Sequence, residues 1–514
     1  MSIADIILKN ANVITMNPLK PRASTVATGE GRILFVGNDS GASDFRGAKT
    51  SVIDLSGKTV LPGFNDAHCH LFSFIRKLMS LDVSPEKVKS IVEVKALIRR
   101  EAESTPRGRW ISATDFSDFY VNEKRYPTRR ELDEVSPDHP VVVAHTGLHV
   151  CVLNSLAFRL AGIGKNTPAP PGALIERDAT GEPTGVLHEM LGYIREKVIP
   201  PLSENEIERG MSLASAHFLA LGITSVQDAT VVNDPARWQI LNSVKDKGIF
   251  VPRLFMMFGY EHIGSFREMR LTYGSGDEGL RLGGVKIILT ESTGTLYPEP
   301  GELDQMVTTA LEADFPVALH AAQRECVSAA ITALEHAREK SPDFKPRQRI
   351  EHLTVCPPDL LERLKKLKPV VAIQPGFIYH SGDRYLSRTP EADKPYLFRF
   401  KSLIDGDITL AASSDTPVSP ADPGLVLYGA LTRKTRTGED ILPIEKVSTA
   451  EALRMYTVNA AYASGEEEIK GTIAPGRLAD MVVLNHNPFD ASPEEIKALK
   501  VDMTIAGGKV VWGG

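Results

Sequence analysis

Leu61-Pro62-Gly63-Phe64-Asn65-Asp66-Ala67-His68-Cys69-His70 closes a short apolar run with two histidines two residues apart. On a strand, positions i and i+2 point to the same face, so both imidazoles aim at one point. Imidazole ligates zinc-like metals, and two convergent nitrogens make half of a catalytic metal site. Cys69 between them must point the other way and reads as a small packing residue. A lone His-x-His is weak, because such pairs also occur on polar surfaces. It gains weight only from residues further along the chain.

Downstream, apolar runs alternate with helical segments. Strands are expected to end near His70, Asp228, Phe258, Leu289, His320, His352, Gln374 and Asp415, with helices over 205–220, 235–247, 303–314, 324–340, 357–367 and 449–462. The 3–4 spacing of leucines in Asp359–Leu367 shows an amphipathic helix. Eight strands alternating with helices indicate an α/β fold, a parallel (β/α)8 barrel; an open doubly wound sheet stays open as the alternative. Short strands near 6–8, 12–15, 32–36 and 51–55 share their texture with 479–484, 503–505 and 509–512. Residues 1–60 together with 467–514 are therefore expected to complete one β-sandwich domain, leaving 61–466 for the barrel. Roughly 150 residues separate the first two barrel strands, far beyond an ordinary connection. This predicts an inserted subdomain, 72–204, and loops at that end of a barrel lie over the active site.

The strand ends carry a pattern. After His68 and His70 come Lys286 on the fourth strand, His320 on the fifth, His352 on the sixth and Asp415 on the eighth. In a closed barrel all rise to one rim. Ala318, Ile350 and Ser413 read as the small or aliphatic interior neighbours of these residues. Lys286 in an apolar strand is costly when charged. As a neutral amine it can add carbon dioxide to give a carbamate, an oxygen ligand able to bridge two metals. The plainer reading of Lys286 is a strand-edge lysine reaching water, and of each histidine singly, packing. His139, His217, His262, His336 and His486 keep that plainer reading. Tyr379 and His380, following the seventh strand in a loop, are substrate-contact candidates.

The order His-x-His, Lys, His, His, Asp resembles the amidohydrolase superfamily of metal-dependent hydrolases. Pro127–Asp133, Gly147-Leu148-His149 with Asn154-Ser155, Gly181–Leu187 and Gly222–Asp228 resemble its family 3 branch, which includes N-substituted formamide deformylases. The resemblance implies hydrolysis of an amide-type C–N bond of a small molecule by metal-activated hydroxide. It implies one or two Zn2+ ions held by His68, His70, Lys286, His320, His352 and Asp415, with the two-metal, carboxylated Lys286 form favoured. Asp415 is implied as the proton shuttle and His149 as a substrate contact. The same site suits esters, lactones, carbamates or deamination, and a non-catalytic binding protein is the remaining alternative. The branch commonly follows the lysine with Asp-Gly; here Thr290-Glu291-Ser292 stands instead.

Composition sets further bounds. The net charge is −6 over 514 residues with no basic stripe, which argues against nucleic acid as a partner. No run approaches 18 apolar residues, so no membrane partner is expected. Four cysteines (Cys69, Cys151, Cys326, Cys356) are scattered without a CxxC pair, which suits a reducing, cytoplasmic compartment. A small-molecule substrate is the expected partner, and the composition leaves room for a homodimer.

Overall fold

The computed structural model describes residues 2–291, 294–344 and 347–513. The chain divides into two compact units: Met1–Leu71, Ser212–Leu289 and Pro300–Gly514 form one, Phe72–Met211 and Thr290–Glu299 the other.

In the first unit, eight parallel strands pair in chain order: Phe64–Cys69, Ile223–Asp228, Arg253–Gly259, Leu280–Ile288, Val317–Ala321, Arg349–His352, Val370–Ile373 and Leu410–Ala412. The ends meet just beyond the eighth strand, where the Asp415 N–H donates to His68 O (2.9 Å) and the His70 N–H to Thr416 O (2.8 Å). The sheet is thereby a barrel rather than an open, doubly wound sheet. Most of its strands are buried on both faces: Val370–Ile373 and Leu410–Ala412 are apolar throughout, whereas Ile223–Asp228 and Arg349–His352 bury polar side chains as well.

Both chain ends build the flanking β-structure. Met481–Leu484 pairs antiparallel with Thr59–Pro62, inside a six-stranded sheet that also holds Asn12–Ile14 and Val501–Ala506. A four-stranded sheet of Arg32–Gly37, Thr25–Gly29, Ile6–Lys9 and Ser51–Asp54 shares its core: Leu8, Val26 and Val36 pack in one cluster with Val60, Met481, Val483 and Ile505.

Expected helices are present at Glu204–Ala220, Pro235–Asp246, Pro300–Glu312, Arg324–Lys340 and Pro358–Leu367. The last buries Leu360, Leu361 and Leu364 and stops at Lys368, in the left-handed conformation at φ 51°. The single helix expected over 449–462 is instead two, Thr449–Met455 and Val458–Ala463. The break falls at Thr457 (φ −133°, ψ −81°), whose buried hydroxyl donates to Leu453 O at 2.7 Å. Other helices were not anticipated from the sequence pattern, among them Ile91–Ser104 and two that follow the barrel's last two strands in the chain. Pro423–Thr432 is apolar nearly all round and so lacks amphipathic periodicity. Gly376–Arg388 opens on Pro375 and Gly376, which read as a loop.

The second unit holds a six-stranded sheet in the order Leu174–Arg177, Pro183–His188, Val150–Leu153, Val141–His145, Ile111–Phe116, Leu81–Asp82. Along Val141–His145 the alternation is strict. Val141 and Val143 pack with Val94, Ile98 and Phe116, while Val142 and Ala144 pack with Phe158, Leu187 and Ile194. The insertion therefore has a core on each face of its own sheet. Its sequence marks are joints of that fold. Buried Asn154 accepts from the Val141 and Ala157 N–H groups and donates to Ser136 O and His139 O. Ser155 binds the Asp133 carboxylate through N–H and hydroxyl. Gly185 (φ 127°) lies where a Cβ would come within 2.7 Å of the Arg129 backbone nitrogen, so only glycine fits there.

Candidate metal centre

The first strand delivers His68 fully buried and His70 just past its end, their rings 5.2 Å apart and edge to face. Both present Nε2 to one oxygen, Asp415 Oδ1, at 3.6 and 3.1 Å. Asp415 does not end the eighth strand as expected. The ladder stops at Ala412, opposite Ile373 where the seventh strand ends, and Asp415 follows three residues later. It has φ 60°, and His352 has φ 76°. Two non-glycine residues in the left-handed region at one spot is an uncommon concentration of backbone strain, of a kind that gathers at functional sites.

His352 brings its ring within 4.9 Å of His68 and 4.4 Å of His320. Ligand atoms of His68, His352 and Asp415 lie within 4.8 Å of one another, all buried. Lys286, on the fourth strand, is 1 % exposed, so it does not reach water, and its Nζ has no hydrogen-bond partner among the described residues. Burial pushes its amine down to about 8, against the pull of Glu351 and Asp415.

The remaining electrostatics follow from burial and neighbours. Burial, then the charge of Lys286, pushes His68 down to about 3, so the imidazole is neutral. Burial also lowers His352. Burial alone would raise Asp415, yet the imidazoles of His68, His70 and His352 hold it well below the usual carboxylate range. Burial thus favours the neutral, ligating form of His68 and His352 beside an ionised Asp415, as a divalent cation requires.

The fit to a metal can be tested on His68. Its Nδ1 lies 2.5 Å from Glu351 Oε2, an ionised carboxylate that only accepts, so the single imidazole proton is on Nδ1. Nε2 then carries a bare lone pair, buried, without a hydrogen-bond partner among the described residues, and facing the Asp415 carboxylate. Two acceptors aimed at each other need a cation between them. The donor set fits a zinc-like ion.

Several residues around the site went unread in the sequence. Glu351 and Arg349 on the sixth strand reach His68, Gln227 and Ala67 on strands one and two, which they can do only across the barrel interior. Interior positions on this strand are therefore charged, and Ile350, expected there, alternates to the opposite face. His352 returns inward because of its positive φ. The signal was present in Arg349-Ile350-Glu351, two charges at period 2 in a buried strand. Gln374 Oε1 meets His352 Nδ1 at 2.8 Å, and Thr230 Oγ1 meets His70 Nδ1 at 3.1 Å. Each orients a ring by its second nitrogen.

The substrate candidates fall differently. Tyr379 and His380 lie on the helix Gly376–Arg388 rather than in a loop. Tyr379 packs on Tyr428 (5.5 Å between centroids) and under Lys497, and His380 Nδ1 meets its neighbour Ser381 at 3.2 Å. His149 is in the second unit, half exposed, with Nδ1 3.0 Å from Glu189. Of the segment that departs from the family pattern, Thr290 pairs with Tyr297 through both backbone groups, and Ser292 lies outside the described residues. Among the described residues, no helix is long and apolar enough to cross a membrane.

Comparison with known proteins matches residues 51–512 to a family model described as the amidohydrolase family. The chain is 29% identical to N-substituted formamide deformylase of Arthrobacter pascens over 98% of this chain and 97% of that protein. A metal-dependent hydrolase of uncharacterised function from Pyrococcus horikoshii OT3 superposes with a TM-score of 0.76 at 26% identity, covering 95% of this chain and 99% of the other. A zinc-bound adenosine deaminase from Xanthomonas campestris shares the fold alone, with a TM-score of 0.58 at 13% identity over 100% of this chain and 94% of the other.

Proposed function

The chain belongs to the amidohydrolase family, and on that premise we propose that it hydrolyses an amide-type C–N bond of a small molecule at the barrel centre. The observation that carries this reading is the pair of opposed acceptors, His68 Nε2 and Asp415 Oδ1, a place made for a cation. Near full-length similarity to a formamide deformylase supports the choice of bond.

His68, His70, His320, His352 and Asp415 would hold one or two Zn2+ ions, and Lys286 would add an oxygen ligand once its neutral amine takes up carbon dioxide and releases a proton. When bound, such an ion lowers the pKa of water and polarises a carbonyl. Asp415 is the proton shuttle. Its ionised carboxylate would accept a proton from the attacking water and return it to the leaving amine. Gln374 and Thr230 hold the His352 and His70 rings in place while this happens. His149, Tyr379 and His380 are proposed as substrate contacts.

The test is product analysis of the zinc-loaded protein against matched panels of N-substituted formamides, other amides, esters, lactones, carbamates and aminated heterocycles. Turnover of amides that disappears on chelation supports the proposal. Turnover confined to the esters or heterocycles moves the activity to another bond, and none on any panel favours a binding role.

A further inference from the structure

Arg349, Glu351 and His68 form a continuous buried chain of hydrogen bonds, exposed by 4, 0 and 0 %. Arg349 forks onto the Glu351 carboxylate, Nε to Oε1 at 2.8 Å and Nη2 to Oε2 at 3.2 Å. Its other contacts are Gln227 Oε1 (2.5 Å) and Ala67 O (2.8 Å), the carbonyl immediately before His68. Gln227 is itself anchored through Nε2 to Ala460 O at 2.7 Å. One guanidinium therefore fixes both the carboxylate that holds the His68 ring and the backbone that carries it. Burying two charges this deeply is costly unless every partner is in place, and an apolar pair would fill the same barrel layer. The geometry calls for a reason, and it lies in the ring. Neutral imidazole has two tautomers, and only the one protonated at Nδ1 leaves Nε2 bare on the Asp415 side.

We propose that Glu351 is a positioning residue that locks His68 in its Nδ1–H tautomer, with Arg349 holding the Glu351 carboxylate in the orientation that does so. The inference rests on the metal-site reading above. It predicts a specific consequence for Glu351→Gln. The Arg349 fork, which only donates, claims the amide oxygen and turns the amide NH2 toward His68 Nδ1. His68 then takes its proton on Nε2, where a metal must bind.

The experiment uses the full-length protein with its histidines nitrogen-15 labelled and its metal removed, and a zinc titration against a chromogenic chelator. In the parent, the His68 resonances, assigned by their loss in His68→Gln, are expected to show Nδ1 protonated and Nε2 bare. In Glu351→Gln they are expected to show the opposite tautomer, with far-ultraviolet circular dichroism unchanged and zinc affinity lowered about 10- to 100-fold. A parent His68 protonated on Nε2 overturns the proposal, and this reading needs no variant to fold. Parental zinc affinity in a folded Glu351→Gln also overturns it. A parent that binds no zinc at all defeats the metal-site reading instead, and the tautomer spectrum still decides the role of Glu351.

Discussion

Asp415 and Lys286 carry opposite consequences from the same burial. Asp415 is held ionised by the rings around it, so Asp415→Asn preserves shape while removing the basic site. Turnover is expected to fall about 10²- to 10⁴-fold, with more lost if zinc leaves; turnover measured beside zinc per chain separates the two. An Asn variant that keeps its zinc and works within a few-fold of the parent removes Asp415 as the shuttle. Lys286 is an amine buried without a hydrogen-bond partner among the described residues, which costs stability in the metal-free protein. Lys286→Met fills nearly the same volume without a polar group. It is expected to raise metal-free stability by on the order of 1–3 kcal/mol while lowering bound zinc and activity. Urea melts of the two metal-free proteins, with elemental analysis of the loaded ones, check both halves.

At the scale of elements, two close fits decide how the strands and helices hold their positions. Gly284, two residues before Lys286 on the fourth strand, would place a Cβ 2.4 Å from Pro316 O, a backbone atom that cannot step aside. Gly284→Ala is expected to cost about 1–3 kcal/mol, read as a shifted denaturation midpoint. In the second unit, Glu131 closes the capping box of Arg129–Asp133 with Thr128 and takes both Arg125 nitrogens at 2.8 Å. The Arg125 hydrogen bonds, outweighing partial burial, lower Glu131 to about 2. A carboxylate lowered on folding stabilises above its unfolded pKa near 4.5 and stops doing so as pH falls toward 2. Glu131→Gln keeps the cap but loses the charge. Its deficit against the parent, about 0.5–1 kcal/mol, is expected to be full at pH 7 and to shrink from pH 4.5 downward; an equal deficit at pH 7 and pH 2.5 contradicts this origin.

At the scale of the whole molecule, the flanking sheets depend on both ends of the chain. Removing residues 1–60 strips Asn12–Ile14 from the six-stranded sheet, cuts into Thr59–Pro62 and removes the four-stranded sheet entirely. Met481, Val483 and Ile505 lose the partners they are buried against. The truncated chain is expected to be insoluble or to unfold without cooperativity, judged by soluble yield and by the sharpness of its urea transition. A soluble, cooperatively unfolding truncation contradicts the shared core.

The barrel and the β-structure from both ends were legible in the sequence, as were His68, His352 and Asp415 as members of one cluster. Period 2 pairs His68 with His70, apolar runs mark strands, and leucines at 3–4 spacing mark Pro358–Leu367. Periodicity failed where burial is uniform, as in Pro423–Thr432, and where one residue leaves its element's conformation, as at Thr457, His352 and Asp415. The sequence alone pointed to imidazoles at strand ends, while the tertiary structure set Asp415 three residues beyond its strand. Period 2 marked Arg349 and Glu351 as sharing a face, but only the tertiary structure decided that they cross the barrel to hold His68, because their partners lie on strands one and two, far away in the chain.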